Sequence, residues 1–336
     1  AYSQVIDLPI IRIQILMPTT PTAPATPLMT FVITCYDLPA DMLRECVTAI
    51  FSLAFQPGER EVIVIDDGSK LPAITDIDDV KDQIIYLRQP NSGLACARNM
   101  GIRVATGRYI QFVDGDDYLL RVPYEHCLDL VRYHNPDMVL FDFSTRSSVA
   151  TPYSYEGPMS GSEYMQGHNL HGTACGYIFS RELLGSLRFT AGILHEDEEF
   201  TPQLILRAER LFYTDAKAYY YRQRRGSIMH ADAASHIDKR LSDSLAVILR
   251  LQQMAATMPE TDRQALARRV AQLTMDYLYN TIQLTHSRQR LDDAIATLEQ
   301  QGLYPLPDKR YTRKYWMFRR LVQSKMGRSL LLHIVR

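Results

Sequence analysis

Apolar and polar positions along the chain follow two rhythms that alternate. The apolar-rich runs at 31–34 (FVIT), 61–65 (EVIVI), 84–87 (IIYL) and 109–113 (YIQFV) are short, β-branched or aromatic, and predict strands buried on both faces. Between the first two, Leu43, Cys46, Val47, Ile50 and Ala54 recur three or four positions apart, which is one face of a helix over 40–55. A second helix is predicted over 94–105. Strands alternating with helices at this spacing imply an α/β fold with a Rossmann-like, mostly parallel sheet wound by right-handed crossovers. Further on, 122–134 reads as a helix, 138–143 as a strand, 200–208 as a helix and 218–221 as a strand.

Three regions depart from this rhythm. Residues 1–28 include PTTPTAPATP at 18–27, a Pro, Thr and Ala stretch that reads as an extended N-terminal extension or linker. Residues 144–172 are polar and nearly aperiodic, as a variable loop would be. From 233 to 336 the pattern turns helical, with Ile237, Leu241, Leu245, Ile248 and Leu251 on one face and further runs at 265–284 and 291–301. A C-terminal helical appendage is expected there.

Composition narrows the classes. With 336 residues and 46% hydrophobic content the chain can bury a full core, and a formal net charge of −1 argues against a general nucleic-acid binder. Five scattered cysteines form no CxxC pair, so neither a disulfide framework nor a zinc site is indicated, and a reducing cytoplasm fits. No apolar run reaches the roughly 18 residues of a membrane span. The patch at 10–17 is interrupted by Arg12 and Gln14 and follows no basic region, so a secretory leader is not expected. The stretch 308–336 differs from the whole, with nine Lys or Arg against one acid and aromatic and aliphatic residues between them. It can lie on an anionic bilayer as a basic amphipathic helix, a peripheral contact, or pack its apolar face into the protein.

Candidate chemistry clusters at strand ends. In GRYIQFVDGDD (107–117) an apolar strand gives way to Asp114, Asp116 and Asp117. Ligands of open α/β sheets sit at the carboxyl ends of strands, and hard carboxylate oxygens spaced in this way suit Mg2+ or Mn2+ holding a diphosphate. The plainer reading is a solvated acidic turn with Asp117 capping the next helix. Thr34, Tyr36 and Asp37 follow the first strand and Asp66 and Asp67 the second, where DDGS can equally be only a turn. A second acid cluster, His195-Glu196-Asp197-Glu198-Glu199, opens a helix, where acids also favour the dipole. It is not HExxH, because residue 199 is Glu. After the tyrosines at 219–221 comes RQRRGSIMH, whose arginines can close on a diphosphate or merely decorate the surface.

The series ITCYD (33–37), VIDDGS (64–69), NSGLACARNMGI (91–102), GRYIQFVDGDD (107–117) and HEDEEF (195–200) resembles the family 2 glycosyltransferases of the GT-A fold, in motif order and spacing. The resemblance covers about 29–230. It implies a catalytic domain over 29–232, with a nucleotide-sugar half at 29–120 and an acceptor half at 121–232. It places Thr34 and Tyr36 at the base, Asp67 on uracil or ribose, and Asn91, Gly93 and Arg98 beside the sugar and diphosphate. Asp114 and Asp116 become the metal and sugar-phosphate motif, and Arg222, Arg224 and Ser227 donor contacts; His230, at the end of RQRRGSIMH, is by position a candidate third metal ligand. Asp197, beside Glu196, becomes the catalytic base. The implied enzyme is an inverting hexosyltransferase moving sugar from UDP to a hydroxyl of a glycan or lipid-linked acceptor, in cell-surface polysaccharide synthesis. Two alternatives stand beside it. A sugar-nucleotide pyrophosphorylase would open with a Gly-rich phosphate loop, absent from ITCYDLPADM, and a non-catalytic nucleotide-sugar-binding module would not need Asp197.

Overall fold

The computed structural model describes residues 3–8, 11–16, 26–146, 152–223 and 234–335. In chain order its elements are β1 (Ser3–Leu8), β2 (Ile11–Leu16), β3 (Met29–Cys35), α1 (Ala40–Phe51), β4 (Arg60–Asp66), a kinked 3-10 segment (Ala73–Gln83), β5 (Ile85–Arg88), α2 (Leu94–Val104), β6 (Tyr109–Asp114) and β7 (Tyr118–Leu119). There follow α3 (Arg121–His134), β8 (Met138–Ser144), β9 (Tyr155–Met159), α4 (Gly161–Gly167), β10 (Tyr177–Ser180), α5 (Arg181–Leu184), α6 (Glu196–Ile205) and β11 (Leu211–Tyr220). The last five are α7 (Ala234–Ala256), α8 (Glu260–Thr285), α9 (Arg288–Gln300), α10 (Arg313–Val322) and α11 (Lys325–Ile334). They form two compact units. The first takes Ala1–Gly161, Thr173–Gly192 and Gln203–Arg224, the second Ser162–Gly172, Ile193–Pro202 and Arg225–Arg336.

The first unit is built on one sheet in the order β1-β2-β5-β4-β3-β6-β10-β8-β11-β7, with β9 pairing β11. Its centre, β5-β4-β3-β6, is wholly parallel, and antiparallel pairs flank it. The apolar runs explain the placement, because Phe31, Val32, Ile33, Ile63, Val64, Phe112 and Val113 are all fully buried in the middle of the sheet. Register then sets the strand ends side by side. Thr34 lies opposite Ile65 on one side and Asp114 on the other, and Cys35 lies opposite Asp66.

The N-terminal expectation needs correction. Residues 1–28 are not simply a detached extension, since β1 and β2 form an antiparallel hairpin and β2 pairs antiparallel with β5, Gln14 opposite Arg88. The alternation Ile11-Arg12-Ile13-Gln14-Ile15 suits a strand, a period-two signal that the proline-rich stretch after it obscured. The polar stretch 144–172 also carries more structure than expected, in β9 and α4, while 147–151 lie outside the described residues.

In the second unit α8 is buried on most of its circumference, including Leu266, Val270, Leu278 and Ile282, and α7, α9, α10 and α11 pack against it. The helical region is larger than the expected 233–336. Segment 162–172 joins it through Gln166 Nε2 to Thr261 O (3.0 Å), Arg268 Nη2 to Asn169 Oδ1 (3.2 Å) and Gln272 Nε2 to Asn169 Oδ1 (2.8 Å).

Helix α2 reaches β3 closely because Gly101 has no side chain: a Cβ there would stand 2.2 Å from Val32 Cγ1. Gly101→Ala should therefore overpack the α2–β3 contact and lower stability by about 1–3 kcal/mol, measured as a shift of the urea midpoint at unchanged slope.

Candidate active site

Five carboxylates stand at the carboxyl ends of β4 and β6, on either side of β3, and each has a different environment. Asp66 is fully buried and accepts hydrogen bonds from Ser69 N–H (2.8 Å), Ala73 N–H (3.1 Å) and the Tyr86 hydroxyl (2.6 Å), with Arg88 Nε at 3.3 Å. Burial by itself would raise its pKa, but these hydrogen bonds outweigh it and hold the carboxyl below the usual range. Asp66 therefore ties the turn after β4 to β5.

Asp67 is also buried, and both its oxygens face the loop before α2. Oδ1 accepts from Gln89 Nε2 (2.7 Å) and Ser92 N–H (2.9 Å), and Oδ2 from Gly93 N–H (2.8 Å). This loop needs two glycines. Gly93 has φ +88° and caps α2, while Gly68, at φ +84°, would place a Cβ 2.6 Å from Asn91 N. Asn91 and Gly93 are thus exposed at a helix N-terminus whose shape Asp67 sets. Asp37 is drawn into the same corner, its N–H donating to Ser69 Oγ (2.9 Å) and its Oδ1 accepting from Lys70 N–H (2.7 Å).

Asp114 is half-buried and pairs with Arg98 Nη2 at 3.0 Å; Thr34 Oγ1 approaches the same oxygen at 3.4 Å. The Arg98 guanidinium, almost completely buried, lies 5.5 Å from the centre of the Phe189 ring. Asp116 remains half-buried at the strand end. Asp117 points inward, 3% exposed, where it accepts from the Tyr219 hydroxyl (2.9 Å) and Arg222 N–H (2.7 Å). Burial pushes its pKa up to about 7 against the lowering effect of the Arg222 N–H bond, with Asp114 and Asp116 adding repulsion. Tyr219 Oη in turn accepts from Asp114 N–H (3.1 Å), so one hydroxyl joins both acids to β11. Arg222 closes the arrangement: its Nε donates to Asp116 O (2.8 Å), it pairs with Glu45, and it lies over Tyr118, which stacks on Tyr220.

Of the expected donor residues, the structure joins Thr34, Arg98 and Asp114 directly, sets Asn91 and Gly93 on the loop held by Asp67, and places Arg222 on the backbone of Asp116. Tyr36 is 47% exposed beyond β3. Arg224, Ser227 and His230 lie outside the described residues. Among the described residues no three His, Cys, Asp or Glu side chains are grouped to hold a metal ion. A cleft of about 520 Å³ between α1 and β7 is lined by residues including Arg44, Glu45, Tyr118 and Arg121, and none of the five acids lines it.

Asp197, expected in the catalytic domain, groups with the helical unit. Its Oδ1 accepts from Glu198 N–H at 2.9 Å. Its neighbours are clamped from α7 and α8: Glu199 accepts from Arg250 Nε (2.5 Å) and Nη2 (3.1 Å), and Glu198 pairs with Arg269, which also donates to Leu170 O (2.5 Å). Leu194 N–H donates to Asp243 (2.8 Å), and His195 takes φ +66°. The acid run therefore divides, with Glu198 and Glu199 fixing α6 while Asp197 is half-buried. Burial, then the charge of Arg240, lowers the His195 pKa.

A model of the family described as "Glycosyl transferase family 2" matches residues 30–184, the segment that carries the five acids of the first unit. That segment, a little under half of the chain, is similar to glycosyl transferase family 2. Similar proteins include glycosyltransferase GlyA of Streptococcus pneumoniae serotype 4, 24% identical over 60% of this chain and 31% of its own length. Glycosyltransferase EpsJ of Bacillus subtilis is 26% identical over 64% of this chain and 67% of its own. The chain thus spans about a third of the first relative and two thirds of the second. Among solved structures, S. aureus TarS 1-349 in complex with UDP-GlcNAc superimposes with TM-score 0.65 at 18% identity, covering 91% of this chain and 88% of that one. The mannosyltransferase PcManGT from Pyrobaculum calidifontis, in complex with GDP-Man and Mn2+, gives 0.56 at 14% identity over 92% and 84%. At these identities the likeness is one of fold, and it is the GT-A fold.

The residues that sequence reasoning missed are Tyr86, Gln89, Tyr219 and Glu45, together with the inward role of Asp117. Tyr219→Phe should cost on the order of 1–3 kcal/mol in chemical denaturation, because Asp114 N–H and Asp117 Oδ2 both lose a buried partner. His195 supplies a pH dependence. Its folded pKa lies below the unfolded value of about 6.5, so the unfolded chain takes up the proton first as pH falls. Stability should drop as pH goes below about 6.5 and level off under the folded pKa; His195→Asn, which tolerates the left-handed backbone, should flatten that limb of the melting profile.

Proposed function

We propose that this glycosyltransferase moves a hexose from a UDP-sugar to a hydroxyl of a glycan or lipid-linked saccharide, with inversion, in the synthesis of a cell-surface polysaccharide. The observation that carries the reading is the convergence of the Asp67-held loop, the Arg98–Asp114 pair and Asp116 at three adjacent strand ends. TarS 1-349 in complex with UDP-GlcNAc, which shares the fold, supports a uridine nucleotide donor. A relative named "Minor teichoic acid biosynthesis protein GgaB" of Bacillus subtilis, 23% identical over half of this chain and 18% of its own length, supports a surface polymer as product.

In this proposal Thr34 and Tyr36 line the base. Asp67, with one acceptor position left on Oδ2, takes the uracil imide or a ribose hydroxyl. Asn91, Gly93 and Arg98 border the sugar and diphosphate, and Arg224 and Ser227 join them as the resemblance implies. The donor set fits a hard cation: Asp114 and Asp116 offer half-buried carboxylate oxygens, too few for a protein-only cage but suited to Mg2+ or Mn2+, which takes its other ligands from diphosphate and water. Asp117, engaged by Tyr219 and Arg222, stands outside that set. When bound, such a cation would neutralise charge gathering on the departing diphosphate.

The remaining chemistry belongs to the chain. A sugar hydroxyl is a weak nucleophile at neutral pH, so a carboxylate must accept its proton as the oxygen lone pair bonds to the anomeric carbon and the bond to the diphosphate oxygen breaks. Asp197 is that base, and the clamps on Glu198 and Glu199 hold its helical turn in place. One base and one displacement give inversion.

Asp197→Asn should reduce turnover by about 10²–10⁴-fold while UDP affinity, read by titration calorimetry, stays within about twofold. Asp116→Ala should weaken UDP binding in the presence of Mn2+ and leave metal-free binding little changed. Turnover retained by the Asn variant removes Asp197 from its role. A panel of nucleotide sugars scored by thermal stabilisation identifies the donor, and preference for a guanosine nucleotide overturns the UDP assignment.

A further inference from the structure

The last two helices present an outward face that the proposed reaction does not use. Helix α10 buries Tyr315, Phe318 and Val322, and α11 buries Gly327 and Leu331. On the other side of α11, Met326, Leu330 and Ile334 are 85%, 46% and 61% exposed. Their spacing of four residues draws one apolar stripe along the helix. Met317 of α10 is likewise 48% exposed.

The exposed charge that 308–335 itself contributes is nearly all of one sign, and Arg328 of α11 pairs with Asp292 of α9 at 3.0 Å. Lys309, Arg310, Arg313, Lys314, Arg320 and Lys325 are all exposed, whereas the single acid of 308–335, Asp308, is paired with Arg319 at 2.6 Å. The chain as a whole carries a formal net charge of −1, so this basic excess is local. Trp316 lies between two of the cations, with Arg320 at 4.9 Å and Arg310 at 5.8 Å from its ring. No helix among the described residues is long and apolar enough to cross a membrane.

We propose that the outer faces of α10 and α11 form a peripheral docking surface for an anionic lipid bilayer, the stripe entering the headgroup boundary and the cations meeting lipid phosphates. Charge complementarity selects this occupant. A second copy of the chain, paired through the same stripe by a twofold axis, would bring cation against cation with no facing acid. An anionic bilayer supplies both the apolar layer and the opposite charge that such a face requires. The surface belongs to the helical unit alone, so it stands or falls separately from the sugar transfer.

The test is flotation of the full chain with vesicles of phosphatidylcholine containing phosphatidylglycerol, against phosphatidylcholine alone. The chain should float with the anionic vesicles at about 50 mM salt, at least about tenfold less with neutral ones, and lose most of that binding at about 500 mM. Because the chain contains one tryptophan, Trp316, its emission should shift to shorter wavelength on anionic vesicles. The variants Met326→Ser/Leu330→Ser/Ile334→Ser and Arg313→Gln/Lys314→Gln/Arg320→Gln should each reduce flotation severalfold with an unchanged circular dichroism spectrum. If the serine variant does not fold, the glutamine variant carries the test. Absence of flotation at low salt, or equal flotation with neutral vesicles, overturns the proposal. So does a lipid-free dimer that the serine variant dissociates, which would assign the stripe to a second copy.

Discussion

The first unit is organised by a problem of like charge. Parallel strands β3, β4 and β6 end side by side, and the chain puts Asp66, Asp67, Asp114, Asp116 and Asp117 at those ends. Carboxylates so crowded cannot all remain ionised and unsatisfied, because burial and mutual repulsion both disfavour the charge. The fold answers each acid separately. Asp66 receives backbone N–H groups and a tyrosine hydroxyl, Asp67 a loop, and Asp114 a buried guanidinium, while burial raises the pKa of Asp117 to about 7. Asp116 stays half-buried at the strand end. The positions of α2 and the end of β11 follow from these pairings, since Arg98 comes from one, and Tyr219 from the other.

This explains which part of the site was legible from sequence. Apolar runs followed by acids locate strand ends, so the neighbourhood of Asp67, Asp114 and Asp116 could be read directly. Division of labour among adjacent acids could not. Asp66 and Asp67 differ only in which side of the turn they face, and the partners that decide it, Tyr86 and Gln89, arrive from another strand some twenty residues later. For Asp117 the deciding residue is Tyr219, 102 positions away, and a helix cap was the natural local reading. The fold shows the same limit. The parallel core announced itself through uninterrupted β-branched runs, whereas the hairpin at 3–16 is an edge feature whose weaker alternation was outweighed by the prolines after it.

The second acid run shows why composition alone misleads about catalysis. Four consecutive acids at the start of α6 are all favourable to the helix dipole, so none is distinguished by local energetics. Distinction comes from cations on helices distant in sequence, Arg250 and Arg269, which engage Glu199 and Glu198. Those pairs are charge-assisted and largely buried on at least one side, so they fix the helical turn more firmly than exposed pairs would.

It follows that the C-terminal helices are more than an appendage. They supply the clamps for the turn that bears Asp197, and segment 162–172, which sequence assigned to a variable loop, is fastened to the same helices through Asn169 and Arg268. The strand-end acids of the other unit are tied instead through Tyr219 and Arg222, so each acid run takes its order from partners far away in the chain.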